Sequence, residues 1–273
     1  MSPAATPATP RPTAAFFDLH KTIIAKSSTL AFNKPFQAGG LISRTAMLRS
    51  AYAQFMYLVG GADHDQMEKL REFMSNLCAG WDVATVREIV ADTLHNTVDP
   101  LVYDEAVQLI EGHQAAGRDV IIVSTSGSEV VEPIGEMLGA DHVVATKMEV
   151  ADGRYTGEIS FYAYAENKAK AIRDLARKRG YDLENSFAYS DSVTDVSMLE
   201  SVGHPFAVNP DKDLRKIAVE REWPVLVFNK PVAFQSKEKL PTAKPTLAVL
   251  AIAGVLAVGG TLWSQRRKRS SAV

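Results

Sequence analysis

The chain has 273 residues, 46% hydrophobic and 23% charged, with a formal net charge of -2. That length holds one large domain or two modest ones, and a charge so near zero points away from a nucleic-acid surface. The single cysteine, Cys78, excludes an internal disulfide framework and reads as a packed thiol.

Residues 1–13 are rich in Pro, Ala and Thr without apolar periodicity and read as a disordered leader. They lack the basic start and apolar core of a secretory signal, so the catalytic body is expected in the cytoplasm. "AAFFDL" at 14–19 is a short apolar run ending in Asp18, the pattern of a buried strand. Over residues 41–116 the periodicity is helical. The segments "ISRTAMLRSAYAQFMYLVGG", "DHDQMEKLREFMSNLCAGW", "DVATVREIVADTLHNTV" and "LVYDEAVQLIEGHQAAG" are each closed by Gly or Pro. Strand and helix then alternate. "RDVIIVST" is a strand and "SEVVEPIGEMLG" a helix. "HVVATKMEV" and "YTGEISF" flank an "ADGR" turn, and "ENKAKAIRDLARKRG" is an amphipathic helix. "SFAYSDS" is a strand and "TDVSMLESVG" a helix with Thr194 placed to cap it. The strand "PFAVN", the helix "DKDLRKIAVEREW" and the strand "PVLVF" complete the series. This alternation predicts an α/β fold, a Rossmann-like parallel sheet with helices on both faces and ligands at the carboxyl ends of the strands.

The C-terminal region departs from this pattern. Residues 229–245 read as a Lys/Pro-rich linker. Residues 246–263 carry no charge and are apolar all round, and 264–273 form a basic tail. A helix of that length spans roughly 27 Å, so 246–263 is expected to be a transmembrane anchor holding the body at the inner face of the cell membrane. The tail would also prefer the cytoplasm, and one span cannot keep both body and tail there.

Four polar clusters stand where apolar strands end or a helix begins: Asp18; Ser124, Thr125 and Ser126; Lys168; and Ser190, Asp191 and Ser192 with Asp195 one turn on. A parallel sheet brings all four to one edge. Carboxylates, a lysine and small hydroxyls together suit Mg2+, a hard cation that takes oxygen ligands, and phosphate, whose oxygens accept from the lysine and hydroxyls. Glu129, Glu132 and Glu136 read as a solvated helix face, and His64, His95, His113, His142 and His204 as surface or turn histidines.

The ordered set "DLHKT", "VIIVSTSG", "NKAKAI" and "YSDSVTD" resembles the motifs of the haloacid dehalogenase (HAD) superfamily. The helical segment between the first two is similar to the cap of the phosphoserine-phosphatase-like branch, subclass IB, and among these most of all to actinobacterial hydrolases. The resemblance covers 14 to about 228, which would make 14–29 and 117–228 the core and 30–116 a helical cap. It implies a phosphomonoester hydrolase acting on a small phosphorylated substrate through an aspartyl-phosphate on Asp18. It also implies Mg2+ held by Asp18, the backbone carbonyl of His20, Asp191 and Asp195. Ser124, Thr125 and Lys168 would bind the phosphoryl group, and Thr22 would brace the loop. The departure is His20, which stands where the family carries its acid/base Asp. That departure opens a second reading, a weakened HAD fold that binds phosphorylated ligands as a regulator.

Overall fold

The computed structural model describes residues 11–43, 72 and 75–229. Seven strands form one sheet: β1 (Ala14–Asp18), β2 (Asp119–Gly127), β3 (His142–Ala151), β4 (Arg154–Phe161), β5 (Phe187–Ser190), β6 (His204–Val208) and β7 (Val225–Leu226). Their order is β4-β3-β2-β1-β5-β6-β7. All neighbours are parallel except the β3–β4 hairpin, which turns through Asp152 and Gly153, both at positive φ. The expected α/β class and mostly parallel sheet are therefore present.

The helices are α1 (Ser28–Ala38), α2 (Val83–Val98), α3 (Asp104–Ala115), α4 (Ser128–Leu138), α5 (Glu166–Arg179), α6 (Val196–Glu200) and α7 (Lys212–Glu220). Their ends follow local chemistry. Asp82 caps α2 by accepting from Thr85 N–H, and Gly139 and Gly180 close α4 and α5 in the left-handed region that glycine adopts without steric cost. Ser192, not Thr194, caps the turn before α6, because its hydroxyl is the one that accepts from Thr194 N–H. α1 was not apparent in the sequence; Pro35 interrupts its pattern from within.

Period-two alternation divides the core between the two sheet faces. Ala14 and Phe16 of β1 join Ile172, Met198, Leu199 and Leu214 from α5, α6 and α7 on one face. On the other, Phe17 stacks on Tyr189 with centroids 4.5 Å apart, and His113 of α3 meets Phe17, Phe187 and Tyr189. The segment read as the last helix of the insert thus lies on the sheet itself. His113 is fully packed rather than superficial, because its helix covers a sheet face instead of facing water.

His113 Nε2 lies 2.8 Å from Tyr189 Oη, and burial, then the nearby Arg118 charge, lowers its pKa to about 4. The unfolded chain takes up this proton near the ordinary value, so the contribution to stability is present above that value and lost as pH falls toward the folded one. Denaturant titrations should show His113→Leu losing less stability than wild type between pH 7 and pH 5, by about 2 kcal/mol. Equal losses in the two proteins would contradict this reading.

Among the described residues no helix is long and apolar enough to cross a membrane. The expected anchor at 246–263, the basic tail, the linker beyond 229 and leader residues 1–10 lie outside the described residues. Pro12 and Thr13, at the end of the expected leader, are tied in: their carbonyls accept from Asp182 N–H and Asp119 N–H.

Candidate active site

β1 lies at the centre of the sheet between β2 and β5, so Asp18, Ser124 and Ser190 end three adjacent parallel strands at one edge. After β1 the chain folds into a tight loop. Leu19 carbonyl accepts from Ile23 and Ile24 N–H, Lys21 N–H bonds to Ile24 carbonyl at 2.6 Å, and Lys21 sits at φ 53°. A non-glycine residue held there stores of order 1 kcal/mol of strain, a feature that recurs at functional sites. Thr22 is buried within the loop, its hydroxyl without a hydrogen-bond partner among the described residues.

Lys168 enters from the first turn of α5 and is buried. Its Nζ lies 2.6 Å from Asp18 Oδ1 and 2.8 Å from Asp195 Oδ2, and Ser190 Oγ donates to the same Asp195 oxygen at 2.8 Å. Burial alone would lower the Lys168 pKa, but the charges of Asp18 and Asp195 outweigh it and raise the group further into its charged range. Asp191 is also buried. Burial and then the Asp18 charge push its carboxyl up, and the exposed Lys21, 3.7 Å away, only partly opposes this. Asp195 is raised by burial, against the pull of Lys168. Three buried carboxylates around one buried ammonium leave an excess of negative charge.

Among the described residues no group of three or more His, Cys, Asp and Glu side chains is arranged to hold a metal ion. Asp195, expected to hold the metal site through water or from behind the ligands, bonds to Lys168 and Ser190 through Oδ2. What remains is an oxygen set of Asp18, Asp191 and the loop carbonyls. Mg2+ binds through one or two carboxylates and keeps several waters, so the donor chemistry and the uncompensated charge both fit it.

On the phosphate side, Ser124 is buried and accepts from Ser126 N–H at 3.2 Å, which leaves its O–H to donate. A register shift between Ser124 and Gly127 bulges β2 at this point. Thr125 was expected to bind phosphate. Its hydroxyl is already donated to Ala163 carbonyl at 3.0 Å, so it ties β2 to the loop preceding Lys168.

His20 is partly buried, with Nε2 2.8 Å from Ser28 Oγ and 3.3 Å from Ser126 Oγ; the two hydroxyls lie 3.0 Å apart. Burial, then Lys168 and Lys21, lower its pKa to about 4, against a smaller pull from Asp195. The imidazole is therefore neutral at physiological pH.

Several contributors were not legible in the sequence. Ser28, a small residue in no motif of its own, holds His20, and Ser126, seen in the sequence as part of the Ser124 cluster, shares that role. Asp211 accepts from Asp213 and Leu214 N–H at the start of α7. It also accepts from Val193 N–H at 2.8 Å and donates its own N–H to Asp191 carbonyl, fixing the acidic loop. Glu129 is buried rather than solvated, because α2 packs over the first turn of α4 and brings Arg87 Nη2 to 3.9 Å. Glu132 and Glu136 of the same helix are exposed as expected.

Comparison with known proteins places this geometry. The family model described as haloacid dehalogenase-like hydrolase matches residues 15–200. The chain is 59% identical over 263 residues to "Inhibition of morphological differentiation protein" of Streptomyces azureus, covering 95% of each chain. It is 56% identical over 258 residues to a "Probable phosphatase" of Mycobacterium tuberculosis, covering 94% of this chain and 90% of that one. Among solved structures, a substrate-bound phosphoserine phosphatase shares the fold, with a TM-score of 0.58 at 18% identity over 82% of this chain and 96% of the other. The chain therefore belongs to the haloacid dehalogenase-like hydrolase family, alongside relatives named as phosphatases.

Proposed function

We propose that the chain is a Mg2+-dependent phosphomonoester hydrolase working through an aspartyl-phosphate on Asp18. The observation that carries this reading is the Lys168 bridge. One buried ammonium orients the Asp18 carboxylate and Asp195 together, beside the Ser124 hydroxyl, at the carboxyl edge of a parallel sheet. Asp18 attacks phosphorus, the ester P–O bond breaks, and the leaving oxygen departs as an alkoxide that takes its proton from water. Lys168 and Ser124 hydrogen-bond the phosphoryl oxygens as charge develops on them. Asp18, Asp191 and the His20 carbonyl would hold Mg2+, which would supply charge neutralisation at the transferring group. Water then attacks phosphorus, and neutral His20 takes its proton at Nε2, releasing phosphate and restoring Asp18.

The neutral imidazole serves the second step and has no readily acidic proton for the first. Missing general-acid help costs about 10²–10⁴-fold, most for alkyl esters and least for nitrophenyl esters, whose anion leaves unaided. His20→Asp should therefore raise kcat for alkyl phosphates by about 10-fold or more while changing p-nitrophenyl phosphate turnover little. A fall in alkyl turnover would sink this role for His20. The same neutral His20 favours the second reading, a fold that binds phosphorylated ligands without turning them over. That reading wins if wild type hydrolyses no ester and His20→Asp does.

In this proposal the helical cap runs from residue 30 to the end of α2, since α3 packs on the sheet as part of the core, and 246–263 anchors the body to the inner face of the membrane. Support for the anchor is its uncharged apolar run before a basic tail. The full chain should sediment with cell membranes in fractionation and a chain ending at residue 240 should not; equal recovery of both in the supernatant would refute the anchor.

A further inference from the structure

A cavity of about 300 Å3 opens directly from the site, sharing His20, Thr125 and Ser126 with it. Its walls are mostly apolar, formed by Phe36, Ile42, Trp81, Val86, Met148 and Ile159. Among the described residues of this wall one carries a carboxyl group, Glu129, buried at the first turn of α4. Its partners are weak for a buried carboxylate. Ser128 Oγ donates to Oε2 at 3.1 Å and the Tyr155 hydroxyl also bonds to it, but both are neutral. Among the described residues the nearest cation is Arg87, 3.9 Å away with its side chain 62% exposed. A buried charge without a close counter-charge is costly, and a bound ligand that carries one relieves that cost. Among the described residues lining the cavity there is no Lys or Arg.

Resting on the phosphomonoesterase reading, we propose that the substrate is the phosphate ester of an amino alcohol with an apolar body. The phosphate lies at Asp18, the chain or ring fills the cavity, and the ammonium pairs with Glu129. Phosphoserine fits poorly, because it lacks the apolar body and would bring its carboxylate toward a wall whose one carboxylic acid among the described residues is Glu129. Glu129 is then a specificity-determining residue.

The test is kcat/KM of the full chain with Mg2+ for phenylalaninol phosphate, phenylpropyl phosphate (the same ester without the amine) and O-phosphoserine, with p-nitrophenyl phosphate as the measure of basal chemistry. Phenylalaninol phosphate should exceed each of the other two alkyl esters by about tenfold or more, and Glu129→Gln should collapse its advantage over phenylpropyl phosphate toward one. Equal rates with and without the amine, a preference for phosphoserine, or an unchanged ratio in folded Glu129→Gln would each overturn the proposal. If Glu129→Gln fails to fold, the wild-type ratios alone decide. If p-nitrophenyl phosphate is inert, the hydrolase reading fails instead. Calorimetric binding of the two phenyl esters to Asp18→Asn then reads the pocket without turnover, and equal affinities would overturn the proposal there too.

Discussion

Asp18→Asn should abolish phosphatase turnover, lowering kcat by about 10⁴-fold or more, while leaving the protein folded. The amide has the shape of the carboxylate but cannot form the phosphoenzyme. The activity loss is therefore that of a removed nucleophile, larger than that of a removed hydrogen bond. Folding should survive because the cluster has too much negative charge. Asp18 helps push the carboxyls of Asp191 and Asp195 up, and removing its charge relieves both. Lys168 keeps Asp195 at 2.8 Å as its counter-ion. Thermal unfolding of Asp18→Asn should therefore stay within a few degrees of wild type, or rise, as expected where an active site holds like charges close for function. A large fall in Tm would mean that Asp18 supports the fold, and activity loss in the variant would no longer identify a nucleophile.

Lys168→Met should do the reverse and damage both activity and fold. Methionine matches the aliphatic stem but removes the one buried cation between Asp18 and Asp195. Breaking a buried ion pair by deleting one partner costs about 3–5 kcal/mol, because the remaining charge is left uncompensated, and here two charges remain. For a domain of this size that is on the order of 10 °C in Tm. The pH dependence has a definite sign. Carboxyls whose folded pKa lies above the unfolded value hold protons in the folded state that the unfolded state has released. Their contribution is intact below the unfolded pKa and is lost as pH rises through the folded one. Without Lys168 the upward push on Asp195 and Asp191 grows, since that ammonium lowers both. The variant's deficit should accordingly be larger at pH 8 than at pH 5, and added Mg2+ should recover part of it by binding the folded form alone. A deficit independent of pH would show that lost packing, not charge, accounts for it.

The central part of this site is readable from sequence for a physical reason. A parallel sheet buries both faces of its strands, so Asp18, Ser124 and Ser190 stand out as polar residues closing apolar runs, and the alternation of elements places those ends on one edge. Lys168 at the start of an amphipathic helix follows from the same topology. What could not be read depends on contacts between distant segments. Glu129 shares helical spacing with two exposed glutamates, and only the packing of α2 over its turn makes it a buried charge. His113 looked like a polar residue near a helix end until α3 was seen to cover the sheet. Thr125 and Asp195 have the residue types of ligand-binding groups, yet their polar atoms are engaged by Ala163, Lys168 and Ser190, partners that no local pattern discloses. His20 was visible as a departure at once. Its neutral state was not, since that comes from burial and from two lysines brought near by the fold.

The most direct measurement is intact-protein and peptide mass spectrometry of the full chain, acid-quenched during turnover of p-nitrophenyl phosphate with Mg2+. A phosphoryl group on the peptide containing Asp18, labile to hydroxylamine and absent in Asp18→Asn, is the predicted result. Steady turnover with no adduct, or an adduct located on Ser124 or another residue, would contradict the covalent mechanism on Asp18.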